Sequence, residues 1–568
     1  LDNTMQDIII RFKRMQGYEA LWIPGTDHAS ISTEVKVTNA LKEEGIDKHE
    51  LGREGFLKRT WEWKKEYGGT ITSQLKKIGS SCDWDRERFT KAVQEVFIKL
   101  YEKGLIYKGS RIVNWCPVCN TSISDAEVEH EEQAGHFWHI NYPVVGEPGR
   151  YVEIATTRPE LLPAIVAIFV NPLDDKHKHL IGKQAHIPII NIDVPIMSDE
   201  KVDIEKGTGV VMCCTFGDQT DIEWWKKYNL PLKNIFTNDG HIIDSISNYG
   251  GLSIKEARKQ IINDLDSKGF LVKTEELEHE VQVHERCGKE VEYSVMKQWF
   301  IDIMSHKEDF LRIGNEINWY PTHMHNRYEE WVNNVAWDWC ISRQRYFGVP
   351  FPVWYCKECG EPIFASKEQL PVNPLTDTPS IEKCHKCGCK EFIPESDVMD
   401  TWATSSVTPL INMKYGEKDN YESILKPMSL RSNASEIIRT WDFYTIVKSY
   451  YHFGIKPWDN VMISGFVMAN KGEKISKSKG NSKVEPLDLI KQFSADVVRY
   501  WAASGRLGTD ITFSEETLLR GKKLVNKIWN VSKFVQMHLE DYQDKAFDDF
   551  EYIDKWILGN FIDMEKEY

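Results

Sequence analysis

"TMQDIIIRFKRMQGYEALWIPGTDHAS", residues 4–30, is the stretch from which the fold class is read. Its spacing predicts an amphipathic helix, a stop at Gly17 and a short strand ending in the polar turn "GTDHAS". A helix that feeds a strand is one unit of a parallel α/β sheet, and in such sheets ligands gather beyond the carboxyl ends of the strands. Asp27 and His28 are therefore candidate ligand residues. The alternative is that Asp27 caps the following helix, "SISTEVKVTNALKEEG".

From about Glu131 the texture becomes β-rich, with "HFWHINYPV", "RYVEIATTRPE", "AIVAIFVNP", "AHIPIINIDVPIM" and "GTGVVMCCTF" separated by turn residues, so an inserted domain is expected. After Val281 a helical, tryptophan-rich texture is expected to return in "MKQWFIDIM" and "YEEWVNNVAWDWCISRQRYFGVP". An apolar strand, "NVMISGFVM", then leads into the lysine-rich loop "KGEKISKSKGN", residues 471–481. The last stretch, "LLRGKKLVNKIWNVSKFVQMHL", reads as amphipathic helix and the start of a bundle.

With 568 residues and 41% hydrophobic content the chain can bury several cores, and three or four domains are expected. No stretch reaches the apolar length of a membrane span, and the first residues lack the order of a signal peptide, so a soluble cytoplasmic protein is expected. The net charge of −15 argues against indiscriminate nucleic-acid binding but leaves room for a local basic groove.

Eight of the twelve cysteines fall in short-spaced groups. "CKECG" and "CHKCGC" are two knuckles, each turning at glycine, and Cys356, Cys359, Cys384 and Cys387 predict a structural zinc ribbon with Cys389 spare. The alternative is unrelated cysteines in a surface excursion. "NWCPVCN" supplies Cys116 and Cys119, and "VHERCG" supplies His284 and Cys287, which together would complete a Cys3His site; incidental or redox thiols are the competing reading.

"KISKS" at Lys474–Ser478 resembles the KMSKS signature of class I aminoacyl-tRNA synthetases, with Ile475 in place of methionine. Its order with "GTDHAS", "TTRPE", "GTGVVM", "WCISRQ", "DTWATSS" and "SADVVRYWAAS" spans nearly the whole chain and resembles the valyl-tRNA synthetase family. Leucyl and isoleucyl relatives usually carry a GWD-type segment where "GTDH" stands here, which favours valine. The resemblance implies an α/β Rossmann-like catalytic domain with an inserted β-rich editing domain, a zinc ribbon and the start of a helical bundle. It implies valine, ATP and tRNA(Val) as partners, ATP, Mg2+ and Zn2+ as cofactors, no membrane, and a monomer.

The reaction implied is attack of the valine carboxylate on the α-phosphorus of ATP, which needs positioning and cations where charge builds on pyrophosphate. By resemblance Lys474 and Lys477 supply them, with Ser476, Ser478 and Gly480 keeping the loop small; a solvated basic loop is the bland alternative. Asp27 matches the residue that receives the α-ammonium, with His28 beside it, and Trp402 matches a wall of the valine pocket, although a core tryptophan is an alternative. Gly465 and Met468 match the segment lining the adenine pocket, where the family often has histidine near Phe466. Arg343 and Gln344 are read either as nucleotide or acceptor-end contacts or as ordinary salt-bridging residues.

In the inserted domain the resemblance places Thr156, Thr157 and Arg158 on the terminal adenosine and reacting ester. Asp221, with Asp218 as neighbour, is placed on the ammonium of a mischarged threonine. Leu161 and Met212 depart from the commoner pattern of threonine and lysine. The implied boundaries are 1–130, 281–353 and 394–515 for the catalytic domain, 131–280 for editing, 354–393 for the zinc ribbon and 516–568 for the anticodon-binding helices. The family's HIGH motif stands before the equivalent of Leu1, so the resemblance predicts a fragment or incomplete record that adenylates valine poorly or not at all. An isoleucyl-type synthetase of the same class and a free-standing, zinc-ribbon tRNA-binding or deacylase module are the competing readings.

Overall fold

The computed structural model describes residues 1–25, 30–85, 90–215, 217–246, 248–414, 420–470, 473–475, 486–540, 542 and 550–567, without the side chains of 49, 90, 470, 473 and 474. The chain divides into two compact units, Lys13–Thr72 with Cys82–Gly465, and Leu1–Phe12 with Ser73–Ser81 and Phe466–Tyr568.

The larger unit contains the parallel sheet. Trp458–Ser464 runs between Asn318–Tyr320 and Met428–Ala434, parallel to both. Trp458, Val461 and Ile463 of the central strand are fully buried, as an apolar run covered on both faces requires, and share a core with Phe310, Tyr328 and Phe443. The strand expected before "GTDHAS" is not formed: residues 18–25 have no regular structure, and Trp22 C=O accepts a hydrogen bond from Asp83 N–H at 2.8 Å. Pro24 lacks the N–H that a ladder needs.

The expectation of helix at "MKQWFIDIM" is also corrected. Glu292–Ile301 is a strand, antiparallel to Ile106–Cys116 from Ile106 opposite Ile301 to Trp115 opposite Glu292. Trp299, Phe300 and Ile301 are buried in succession, and a short apolar run buried on both faces carries no periodicity to separate strand from helix. In the second quoted stretch the helix ends at Asn334, and only the two-residue strands Trp339–Cys340 and Ser342–Arg343 follow.

The β-rich segment leaves through Val128–Pro143 and returns through Leu271–His284, paired antiparallel from Val128 opposite His284 to Ile140 opposite Leu271. Tyr151–Thr156 extends this ribbon, and a second sheet orders Gln184–Ile187, Ile192–Ser198, Ile165–Val170 and Val210–Cys214. All six residues of "IVAIFV" in Ile165–Val170 are buried, and this segment has its own core around Ile140, Ile154, Ile168 and Ile261. Pro362–Phe364, Val353–Cys356 and Phe392–Pro394 form a small antiparallel sheet beneath the cysteine knuckles.

In the smaller unit Val467–Asn470 pairs antiparallel with Glu473–Lys474 and parallel with Ile511–Thr512. Leu489, Phe493, Val497, Trp501 and Leu518 form its core. Asp7, fully buried, accepts hydrogen bonds from Ser81 N–H and Oγ (2.8 and 2.7 Å), Arg11 Nε (2.7 Å) and Arg499 (2.6 Å). The expected amphipathic helix runs from Glu515 to His538, with Ile528, Trp529 and Phe534 exposed on it. Among the described residues no helix is long and apolar enough to cross a membrane.

Candidate functional site

Two four-residue donor sets come together. In the first, Cys356 ends a strand, and Gly360 and Gly388 take positive φ (69° and 79°) after each knuckle, the turn for which glycine was read there. The Sγ atoms of Cys356 and Cys387 lie 3.4 Å apart and those of Cys359 and Cys384 3.7 Å apart. A disulfide is far shorter. Zinc–sulfur bonds of ~2.3 Å in a tetrahedron give sulfur edges of about 3.8 Å, so the set fits such an ion. Cys389 stays outside it, its thiol directed to Glu391 C=O.

Sequence spacing left the second set open, and the fold closes it. Cys116 ends one strand of the antiparallel sheet and His284 ends the returning ribbon strand. Cys116 Sγ is 3.6 Å from Cys287 Sγ, which is 3.3 Å from His284 Nδ1, and the four donors, Cys119 included, lie within 4.8 Å of one another. Three thiols and one imidazole suit zinc. This set joins the two ends of the inserted segment at its root.

Thr156 ends its strand, and its Oγ1 accepts the Arg158 N–H at 3.0 Å, shaping the turn; Thr157 between them is half-buried. The Arg158 guanidinium is held by carboxylates: Nε donates to Glu160 Oε1 at 3.0 Å, and Nη2 to both oxygens of Glu292 at 2.8 and 2.7 Å. Glu160 also accepts from Arg258 Nε and Nη2 at 2.8 and 2.9 Å. Spacing offered no sign of Glu160, Arg258 or Glu292, because their pairing depends on tertiary contact.

Asp218 caps the helix Gln219–Tyr228 by accepting from Asp221 N–H at 2.9 Å, and Asp221 Oδ2 accepts from Gly217 N–H at 2.9 Å. Burial, then the neighbouring Asp218 charge, push the Asp221 carboxyl well above the usual carboxylate range. A Cβ on Gly217 would stand 2.6 Å from Asp221 Oδ2 and 3.3 Å from Leu161 Cδ1, so the Asp221 turn and the segment after Arg158 are adjacent. Met212 Sδ is 3.8 Å from the Tyr142 hydroxyl, in the packed interior of the segment.

Asp27 and His28 lie outside the described residues. Ser30, the last residue of "GTDHAS", donates its N–H to Thr401 Oγ1 at 3.1 Å, beside half-buried Trp402. Asp400 caps the short helix Thr401–Ser405, accepting from Trp402 N–H at 3.2 Å, and Lys448 Nζ donates to Ala403 C=O. Arg343 is completely buried, with Nη2 2.5 Å from Glu127 Oε2 and 3.3 Å from Asp400 Oδ1, and Nη1 on Cys340 C=O. Of its two readings, salt bridging is the one the fold displays. Gln344 bonds Thr121, Ser122, Gln298 and Asp397.

Gly465 follows the central parallel strand. Met468 pairs with Lys474 and Thr512, and Ile475 N–H donates to Val467 C=O at 3.0 Å. The Lys474 side chain, Ser476, Lys477, Ser478 and Gly480 lie outside the described residues.

Residues 1–514 match the family described as tRNA synthetases class I (I, L, M and V). The chain is 43% identical to a valine--tRNA ligase of Clostridium tetani, covering 100% of this chain and 64% of that one. It is 42% identical to the valine--tRNA ligase of Rickettsia conorii, covering 99% and 71% respectively. Among solved structures, the LeuRS of Agrobacterium radiobacter K84, in a ternary complex with tRNA and LeuAMS, shares the fold at a TM-score of 0.51 and 18% identity, over 97% of this chain and 72% of that one.

Proposed function

The chain belongs to the class I tRNA synthetases, in their valine--tRNA ligase family, and from that premise we propose that it takes part in ATP-dependent ligation of valine to tRNA(Val) and in hydrolysis of threonyl-tRNA(Val). The carrying observation is the match to valine--tRNA ligases along the entire chain, which spans 64% of the Clostridium tetani relative. The proposed layout keeps 1–130, 281–353 and 394–515 for catalysis, 131–280 for editing, 354–393 for a zinc ribbon and 516–568 for the first anticodon-binding helices.

On this reading Asp27 receives the valine ammonium and Trp402 walls the side-chain pocket, a role supported by its place beside the hydrogen bond from Ser30 to Thr401. Gly465 and Met468 approach adenine, and Lys474 and Lys477 stabilise charge on the departing pyrophosphate, with Mg2+ accompanying ATP. Zinc at the two donor sets supplies folding stability. Threonine is nearly isosteric with valine, and an apolar pocket rejects the added hydroxyl weakly, valyl-tRNA synthetase being a standard illustration of that limit. A second site must then hydrolyse the mischarged ester. Asp221 is assigned to the threonine ammonium, and Thr156 and Thr157 to the adenosine and ester. Arg158 is retained as a positioning residue, since Glu160 and Glu292 hold its guanidinium.

Amino-acid-dependent pyrophosphate exchange, measured on the protein extended upstream of Leu1 to take in the segment where the family carries its HIGH motif, tests the synthetic assignment, with valine expected to drive it and isoleucine not. Faster exchange with isoleucine would replace the valine reading. Release of threonine from threonyl-tRNA(Val) by wild type but not by Asp221→Ala tests the editing assignment.

A further inference from the structure

Lys448 is a lysine placed in the core. It lies in the helix Phe443–Phe453 between buried Val447 and Ser449 and is 4% exposed. Lysine is almost never buried without a partner, and here Nζ donates to a backbone carbonyl, Ala403 C=O. That carbonyl receives no backbone N–H from its own helix. Thr401–Ser405 is five residues long, and Val407 N–H, four residues on from Ala403, goes instead to Thr404 C=O at 3.4 Å. A helix end leaves such carbonyls to be met from outside, and a cation is a favoured donor there. Ser406 Oγ reaches the same oxygen at 3.4 Å, so Lys448 is the charged one of its two donors.

Trp402 is thereby held on both sides. Its N–H goes to Asp400 Oδ1 at 3.2 Å, while the carbonyl of the next residue is taken by Lys448. Thr401, just before it, receives Ser30 N–H on Oγ1 at 3.1 Å and accepts from Thr404 Oγ1 through its own C=O at 2.8 Å. Asp400 also accepts from Trp339 Nε1 at 2.9 Å, and Trp339 stacks on Tyr444, one turn before Lys448, with ring centroids 3.6 Å apart. The helix that carries Lys448 and the turn that carries Trp402 are therefore joined at two points. Charge balance alone is the competing account. Arg343 pairs with Glu127 and Asp400, all three are buried with Lys448, and the four charges sum to zero. Balance does not require the direct bond to Ala403, however, since a cation elsewhere beside Asp400 would supply it.

We propose that Lys448 is a positioning residue for amino-acid selection: its ammonium fixes the carbonyl next to Trp402 and so sets how far the indole projects into the side-chain pocket. The inference rests on the reading of Trp402 as a wall of that pocket.

The test is amino-acid-dependent pyrophosphate exchange in the protein extended upstream of Leu1. Wild type is compared with Lys448→Met, with Trp402→Leu and with Lys448→Met combined with Glu127→Gln. Lys448→Met is expected to raise the valine KM about 10–100-fold, the range of a lost bond to a charged donor, with kcat and the ATP KM close to wild type. It should also narrow the preference for valine over isoleucine and threonine. An unchanged valine KM overturns the proposal, as does an equal rise in the ATP KM, which marks general damage. The combined variant leaves Arg343 and Asp400 to balance one another, so it also serves if Lys448→Met alone does not fold. A raised valine KM there upholds the assignment, whereas a return to the wild-type value shows that Lys448 only balances charge and overturns it. Trp402→Leu separates the premise from the inference. If it leaves the valine KM unchanged, the pocket reading of Trp402 fails and the proposal with it; if it raises that KM and Lys448→Met does not, the Lys448 assignment alone fails.

Discussion

Arg158 and Glu292 stand 134 residues apart in sequence and meet through two hydrogen bonds from one guanidinium nitrogen, at 2.8 and 2.7 Å. Glu292 opens a strand of the antiparallel sheet, whereas Arg158 follows a strand of the inserted segment, so this pair fastens the insertion to the sheet that carries it. Both side chains are largely buried, at 24% and 7% exposure. Removing one partner strands the other's charge in a poorly solvated place. Glu292→Gln is expected to cost about 3–5 kcal/mol, read as a lowered urea midpoint. Arg158→Met combined with Glu292→Met should recover much of that loss, because it removes both charges and leaves apolar volume.

Gly217 is placed where no side chain fits. A Cβ there would stand 2.6 Å from Asp221 Oδ2, and the hydrogen bond from Gly217 N–H to that oxygen would be displaced with it. Gly217→Ala is therefore expected to reduce threonyl-tRNA deacylation at least tenfold, about 1.4 kcal/mol of activation free energy, while valine-dependent pyrophosphate exchange, measured in the protein extended upstream of Leu1, stays at the rate of the extended wild type. Equal loss of both activities would show that the change acts through folding rather than through Asp221.

The two metal donor sets show why one was readable from spacing and the other was left open. A knuckle is local, because Cys356 and Cys359 must lie within one turn of each other, and the doubled pattern with glycine carries that requirement in the sequence. Cys116 and Cys287 stand 171 residues apart, and their pairing depends on a ribbon that leaves and returns across a long insertion. The same limit hid Glu292 from the reading of Arg158, and it hid Glu127 and Asp400 from the reading of Arg343. The end of the strand Glu292–Ile301 reads as helix for a different reason: Gln298, Trp299, Phe300 and Ile301 are buried in succession, which leaves none of the alternation that marks a strand. Motif order along the chain survived all of these difficulties, since it needs no knowledge of which residues meet.

Asp199 supplies a pH dependence of stability. Burial alone would raise its carboxyl pKa, but hydrogen bonds from Lys227 Nζ and Tyr228 OH at 2.7 Å and from Lys201 N–H at 2.9 Å outweigh burial and hold it below the ordinary value. A depressed folded pKa gives stability that is present above the unfolded value near ~3.9 and is lost as pH falls from there through the folded pKa. Wild type should accordingly lose stability over that acid window more steeply than Asp199→Asn, measured as thermal midpoint against pH. At neutral pH Asp199→Asn should be less stable by about 1–3 kcal/mol, the cost of charge-assisted bonds.

Asp218 and Asp221 give the most specific prediction for the proposed editing reaction. Asp221 can receive an ammonium group only when ionised, and burial together with the Asp218 charge holds its carboxyl well above the usual range. Deacylation of threonyl-tRNA should then rise with pH as Asp221 loses its proton. Asp218 also caps the helix Gln219–Tyr228 through Oδ1, and asparagine serves that position as well as aspartate does. Asp218→Asn keeps the cap and removes the repelling charge, so the midpoint of the pH–rate profile is expected to move to lower pH with little change in the plateau. Asp218→Ala loses cap and charge alike, and should add a loss of thermal stability of about 0.5–2 kcal/mol. An Asp218→Asn profile that stays in place would remove Asp221 ionisation as the step that governs the rate.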